Sequence, residues 1–443
     1  MPSATSEMGN HLGAILVKDS PNKSVGQMIQ SADHEVFSES AEVDFRTVTW
    51  PRATIIFLKT VFATGVLSIP IAISTLGAIG GSLSIIGWGL LNTYTGMIQG
   101  EFRLNNPSCH SIADMAGEVG GIIAQEITGV LFIFAYLIAT GSGIVGASIG
   151  LDVLSGHTVC KVWWSFLATV IIAAAASVRK FQHIGWLTWV GFISIFTAVF
   201  IVSVAVTTRD RPAAAPAVGA FDLGYQALPY PVPTFAAGMA ASCTIFASFA
   251  GTSAFIPVIS EMKKPRDYRK ALFVCMAFVI ASYLSLSLVI YRWCGTWVAS
   301  PSLGSAGHTV EMVAYGVGIA GIIVSACLYL HVTAKYCFVR LLRNTTHIQR
   351  NTMTHWATWI GLIIGLAAIS FILAEAIPIF NYLIALVGSL WGSMAQRMAY
   401  GAHMFLVLLG LFMLTGGTYG VVDEIIVAYR NGSIGRVFGC KST

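Results

Sequence analysis

The chain has 443 residues, of which 56% are hydrophobic and only 10% charged, with a formal net charge of +5. Soluble proteins carry about 25% charged residues, so an ordinary solvated surface is excluded. The basic excess forms no stripe or aromatic-interleaved patch; that argues against a nucleic-acid partner and leaves the basic residues as topology signals.

Residues 1–47 read as a disordered cytoplasmic tail without a basic-then-apolar leader, so the first apolar span is expected to act as the targeting signal. That span covers about 52–76, and a Gly-rich turn, Leu76 to Gly81, leads into a second at 79–100. The connector 105–120 is weakly amphipathic and is expected at the membrane interface. A third span, about 122–150, is expected to break at Thr140-Gly141-Ser142-Gly143, while Gly141, Gly143, Gly146, Ala147 and Gly150 would let neighbouring helices approach closely. Fourth and fifth spans follow at about 162–178 and 184–207. The connection 208–233 holds five prolines and reads as a loop. A sixth span, 234–260, precedes the dense charge cluster Glu261 to Lys270; the seventh, eighth and ninth lie near 271–291, 312–337 and 356–376. Residues 377–396 can just cross a bilayer, though Asn381, Gly388, Gly392 and Gln396 weaken the span, and a last one covers about 399–421. The expected architecture is therefore an all-α polytopic membrane protein of about eleven transmembrane helices, the tenth irregular. Ten spans would place the tail 428–443 in the cytoplasm and eleven would place it outside.

Charge orients the set. With a cytoplasmic start, the internal connections hold Arg103, Arg179, Lys180, the basic residues of 263–270, Arg340, Arg343 and Arg350, whereas external loops hold only Lys161, Arg209, Arg211 and Arg292. Asn344-Thr345-Thr346 is then a sequon in pattern only. The eight cysteines are scattered without CxxC or Cys/His ligand spacing, so no metal and no cofactor is expected. Cys160 and Cys294 fall near external span ends, either as a disulfide or, preferably, as two independent buried thiols. No HExxH, GxSxG, phosphate loop or paired intramembrane carboxylates occur, so the chain does not read as an enzyme.

Two spans are interrupted in matching ways. The first contains Thr64-Gly65-Val66-Leu67-Ser68-Ile69-Pro70, and the sixth contains Phe249-Ala250-Gly251-Thr252-Ser253-Ala254-Phe255-Ile256-Pro257. Gly65 precedes Pro70 by five residues and Gly251 precedes Pro257 by six. Lying five spans apart, the two run in opposite directions, the signature of an inverted repeat whose broken helices meet near the midplane. Half-helix N-termini suit a carboxylate and exposed carbonyls suit an ammonium, so a zwitterionic amino acid uses both.

These breaks, with Ile259-Ser260-Glu261-Met262-Lys263-Lys264-Pro265-Arg266-Asp267-Tyr268 and His331-Val332-Thr333-Ala334-Lys335-Tyr336, resemble the amino acid/auxin permease family, and within it the fungal neutral amino-acid permeases of the methyltryptophan-resistance type. The resemblance runs from about Val48 to Leu390 and resumes over 401–436. It implies a leucine-transporter-like fold with a five-plus-five inverted repeat: a transporter domain at 48–427, with a first repeat at about 52–207, a second at about 234–396 and an extra helix at about 399–421. It departs from the family where Leu390 passes almost directly to Trp391 and Arg397, a tenth span shorter than in related permeases. It implies substrate contacts from Thr64, Gly65, Val66, Leu67 and Ser68 to the carboxylate and from Ser248, Gly251 and Thr252 to the amino group. Phe246, Phe249 and Tyr136 would be walls.

Lys59 and His331 sit inside apolar spans, where ionisable groups demand an explanation. In sodium-coupled relatives the aligned positions carry neutral Asn and Thr. An ammonium and an imidazole there point to a proton as the coupling ion, with sodium disfavoured. Alternatively, Lys59 snorkels to the cytoplasmic interface, His331 is a satisfied core histidine and Lys335 is an interfacial anchor. The leading function is thus proton-coupled symport of neutral aliphatic or aromatic amino acids across the lipid bilayer, at the plasma membrane rather than the vacuole. A vacuolar exporter or exchanger, and an amino-acid-sensing receptor of the same fold, are the alternatives.

Overall fold

A computed structural model of the chain describes residues 48–62, 64–106, 109, 111–178, 181–342, 345, 352–377 and 408–431, with the backbone alone at 181–186, 250 and 253. The expected tenth span, Arg343, Asn344 and both tails beyond Val48 and Asn431 lie outside the described residues. The chain within them is helical, and its one β-type pairing is a parallel bridge between Val48 and Met262.

Helix α1 (Trp50–Val61) opens with Pro51 in its first turn, where a missing N–H costs nothing, and stops at Phe62. A 3₁₀ turn, Thr64–Leu67, separates it from α2 (Ile69–Asn105). Pro70 therefore starts the second half-helix rather than bending a continuous one. Within α2, Gly77 at φ +74° divides a short external piece from the long span, as the Gly-rich turn requires. Helix α3 (Ile112–Leu154) begins with a capping box, in which Ser111 Oγ accepts from Asp114 N–H at 3.1 Å and Ser111 N–H donates to Asp114 Oδ2 at 3.0 Å. Gly121, at φ +70°, joins this amphipathic stretch to the span proper.

Then follow α4 (Lys161–Ala176) and α5 (Phe181–Thr207). The proline-rich connection forms no helix, as expected. Helix α6 (Phe235–Phe249) is broken by a 3₁₀ turn, Ala250–Ala254, before α7 (Phe255–Ser260). Helices α8 (Tyr268–Cys294), α9 (His308–Leu342), α10 (Met353–Ala376) and α11 (Leu408–Arg430) complete the bundle. Seven of the described helices are long and apolar enough to cross a membrane.

Corresponding members of the two halves pack together: α2 on α8, α3 on α9 and α4 on α10, with α11 laid along α6. The broken helices thus sit at the centre of a paired scaffold. Small residues set these distances. A Cβ on Gly143 would lie 2.6 Å from Ala326 Cβ, and one on Gly141 would lie 3.2 Å from Ser370 O.

Three expectations are corrected. Helix α3 runs unbroken through Thr140–Gly143, because Thr140 Oγ1 and Ser142 Oγ donate to Tyr136 O and Ala139 O and the glycines serve packing instead. Cys160 is disulfide-bonded but Cys294 is a buried free thiol, so they are neither paired with each other nor two free thiols. The last helix continues to Arg430, past the expected end near 421.

The long external connection is fastened at the Gly77 bend, where Ala78 N–H and Ile79 N–H donate to Gln226 O and Ala227 O at 3.0 and 2.9 Å. A Cβ on Gly77 would lie 2.8 Å from Ala227 O. Gly77→Ala combines that clash with an unfavourable φ and is expected to cost about 1–3 kcal/mol, read as a lowered melting temperature in detergent.

Candidate functional site

The two breaks interlock at the centre of the bundle. A Cβ on Gly65 would fall 2.7 Å from Ser248 Cα, and one on Gly251 would fall 2.7 Å from Thr60 O. Each glycine is required because the opposite backbone occupies the space a side chain would need. Thr64, Gly65, Val66, Leu67 and Ser68 are all buried, as are Ser248 and Thr252.

The candidate residues divide between two sides of the breaks. Toward α3 and α9, Tyr329 lies near Thr64, whose buried hydroxyl makes no hydrogen bond among the described residues, and its ring centroid is 5.8 Å from that of Tyr136, whose ring lies tilted against Phe132 at 4.6 Å. Tyr329 is half-buried and Tyr136 fully buried. Toward α2 and α8, Phe246 meets Trp88 edge-on at 4.9 Å and Phe249 meets Tyr283 at 5.0 Å. Thr252 also faces this side, its methyl 3.7 Å from where a Cβ on Gly96 would stand. Ser248 Oγ donates to Thr244 O at 2.9 Å. The structure thus gathers Thr64, Tyr136 and Tyr329 on one face, while Phe246, Phe249 and Thr252 pack behind the break.

Lys59 is the most unusual group. Its side chain has no solvent exposure, which rules out snorkelling. Its Nζ donates to Ser325 Oγ at 2.7 Å, Gly321 O at 3.1 Å and Gly191 O at 3.4 Å. Three donors therefore meet three uncharged oxygens contributed by α5 and α9. The close approach that makes this possible is a small-residue seam: a Cβ on Gly321 would lie 2.7 Å from Gly191 O, and one on Gly318 would lie 2.9 Å from Ala198 Cβ. Ser194 Oγ donates to Val317 O at 2.6 Å and accepts from Gly321 N–H at 2.9 Å, inserting a hydroxyl from α5 at one rung of the α9 ladder.

His331 is not beside Lys59. Its Nδ1 donates to Ala176 O at 3.1 Å and its ring meets Trp359 edge-on at 5.3 Å, at the junction of α9 with α4 and α10. Trp359 Nε1–H donates to Ser177 O at 2.9 Å. Lys335 pairs with Glu261 at 3.3 Å rather than standing as an isolated anchor.

Below the breaks, on the side that the basic residues assign to the cytoplasm, α1 and α7 are in direct contact. Phe57 of α1 stacks on Phe255 of α7 with centroids 3.9 Å apart. Beneath them Val48 N–H donates to Glu261 O at 3.0 Å and Lys263 N–H donates to Val48 O at 2.8 Å. The Glu-Met-Lys-Lys-Pro motif therefore ties the entrance of α1 to the exit of α7.

Sequence reasoning missed Tyr329, Tyr283, Ser325, Ser194, Gly191 and Gly321. A tyrosine or serine in an apolar helix carries no local mark of the partner it will meet. Glycines at Gly318 and Gly321 on a helical spacing were the one available signal for the seam.

Residues 46–396 match the model of the family described as transmembrane amino acid transporter protein. The chain is 46% identical over 429 residues to a transmembrane transporter of Gibberella moniliformis, covering 92% of this chain and 90% of that one. It is 25% identical to the N amino acid transport system protein of Neurospora crassa, over 92% of this chain and 91% of the relative. Among solved structures, a Na+-coupled sialic acid symporter in a substrate-bound outward-open state is similar with a TM-score of 0.53 at 12% identity, covering 90% of this chain and 95% of that one. That likeness is one of fold, the leucine-transporter-like architecture in which paired broken helices meet at the centre.

The interlock makes a direct prediction. Gly251→Ala places a methyl 2.7 Å from the Thr60 carbonyl, a backbone atom that cannot rotate away. Overpacking of this kind costs about 1–3 kcal/mol, and the variant is expected to lose at least about tenfold in amino-acid uptake at equal membrane abundance.

Proposed function

The chain belongs to the transmembrane amino acid transporter family, and from that premise we propose that it is a proton-coupled symporter of neutral amino acids, working by alternating access. One observation carries the coupling reading: the Lys59 ammonium, held by Gly191 O, Gly321 O and Ser325 Oγ at the junction of α1, α5 and α9. Uncharged oxygens around a monovalent cation are the donor set of an alkali-ion site, and here a side chain brings the charge. A sodium ion entering the same oxygens would meet a like charge a few ångströms away, with little solvent to screen it. An amine that releases its proton loses its charge and one donor together. The three contacts holding α1 to α5 and α9 then weaken, and they re-form when a proton returns. Protonation and helix docking are two readings of one equilibrium, which is the requirement for coupling.

The substrate reading rests on the breaks. The Thr64–Ser68 backbone takes the carboxylate and the Ser248–Thr252 turn takes the amino group, with Tyr136 and Tyr329 bounding the side-chain space on the α3 and α9 side. The ion pairs of the described residues, such as Glu126–Arg340, Glu101–Arg269 and Asp152–His157, lie toward the ends of the helices. A cationic amino-acid side chain would therefore find no counter-ion among those pairs, and neutral substrates follow. The resemblance to fungal permeases favours the plasma membrane over the vacuolar membrane.

Uptake of labelled leucine and phenylalanine into proteoliposomes, with pH and sodium gradients imposed separately, tests the reading. An inward proton gradient is expected to drive accumulation, choline in place of sodium to leave it unchanged, and a protonophore to abolish it. Strict sodium dependence would overturn proton coupling. Lys59→Ala is expected to abolish gradient-driven accumulation while leaving substrate exchange across the membrane measurable.

A further inference from the structure

Where α1 and α6 stop, each exposes carbonyl oxygens that no later turn of its own helix can satisfy. In a membrane interior those oxygens need donors from elsewhere in the protein. Two of them converge on one atom. The Tyr283 hydroxyl of α8 lies 2.8 Å from Val61 O, at the end of α1, and 3.0 Å from Ser248 O, at the end of α6. Tyr283 is completely buried. Its ring is seated against Phe249 at 5.0 Å and Phe62 at 5.3 Å, one aromatic neighbour from each broken helix.

A phenol has one hydrogen to give, so the two carbonyls share it. Both are negative ends of half-helix dipoles, and bringing them together without a donor between them would be repulsive. We propose that Tyr283 is a positioning residue that holds the two broken helices at one separation, and so keeps the two halves of the amino-acid site assembled before substrate arrives. The substrate consequence rests on the function proposed above; the holding of the breaks does not. Without the hydroxyl the halves spend part of their time apart. Substrate must then select the assembled fraction, and the apparent affinity falls in proportion to that fraction. The maximal rate does not fall, because separation of the breaks is no longer opposed.

The test compares the full-length wild-type chain with Tyr283→Phe, which removes the hydroxyl and keeps the ring, in lipid nanodiscs and proteoliposomes. Hydrogen–deuterium exchange of 60–68 and 246–254 needs no substrate. Both stretches are expected to exchange faster in the variant, while the melting temperature stays within a few degrees. In leucine and phenylalanine uptake, KM is expected to rise about tenfold, the effect of one buried hydrogen bond, with the maximal rate unchanged or higher. Phe278→Leu, on the same helix and in contact with the same aromatic cluster, is expected to leave both readouts as in wild type.

Exchange unchanged at the breaks, or faster at one break only, overturns the proposal. So does a parallel fall of maximal rate and melting temperature that Phe278→Leu reproduces. If Tyr283→Phe does not yield folded protein, Tyr283→His carries the test. Its N–H reaches less far and serves one carbonyl at most, so both stretches must again exchange faster than in wild type. If the wild type imports neither amino acid, the function reading fails while the exchange experiment still judges the role of Tyr283.

Discussion

A helix that stops inside a hydrocarbon layer leaves backbone oxygens and amides that no water can reach, and the whole arrangement answers that constraint. Tyr283 takes the carbonyl ends of α1 and α6, and Lys59 takes carbonyls exposed on α5 and α9. Ser194 bridges the rung of α9 that the seam disturbs. Each is a polar side chain spent inside an apolar bundle. Each also connects helices that are distant in the chain. Few buried polar side chains thus carry the hydrogen bonds that join the broken helices and their neighbours.

Close packing makes these few contacts possible. Gly65, Gly251, Gly191 and Gly321 admit a neighbouring backbone where a Cβ would collide. Without such approach the Lys59 side chain could not span from α1 to both α5 and α9. Small residues and long polar ones are complementary here: the former bring oxygens together and the latter bridge them.

The breaks, the order of the described spans, the loop at 208–233 and the separate stretch before Gly121 were legible in the sequence, because each depends on local chemistry such as a missing donor, a positive φ or an apolar run. The Glu-Met-Lys-Lys-Pro motif was recognisable, yet its pairing with Val48 was not, since a backbone bridge between distant residues leaves no residue type behind. Thr140–Gly143 shows the reverse failure. Glycine and hydroxyl residues that look like a break form ordinary helix when the hydroxyls bond back to the preceding turn and neighbouring helices press close. Lys59 was marked by its charge, but its partners are glycine carbonyls and a serine, which composition cannot distinguish from packing. Phe246 and Phe249 lie within the second broken span, and only the fold decides that they face α2 and α8.

The bridge between Val48 and Met262 joins the entrance of one broken helix to the exit of the other through main-chain hydrogen bonds. Exchanging side chains, as an alanine scan does, leaves those bonds in place. The join between these two helices therefore has a main-chain component that proline alone removes directly, and surveys of side-chain variants will systematically undercount what holds the two helices together.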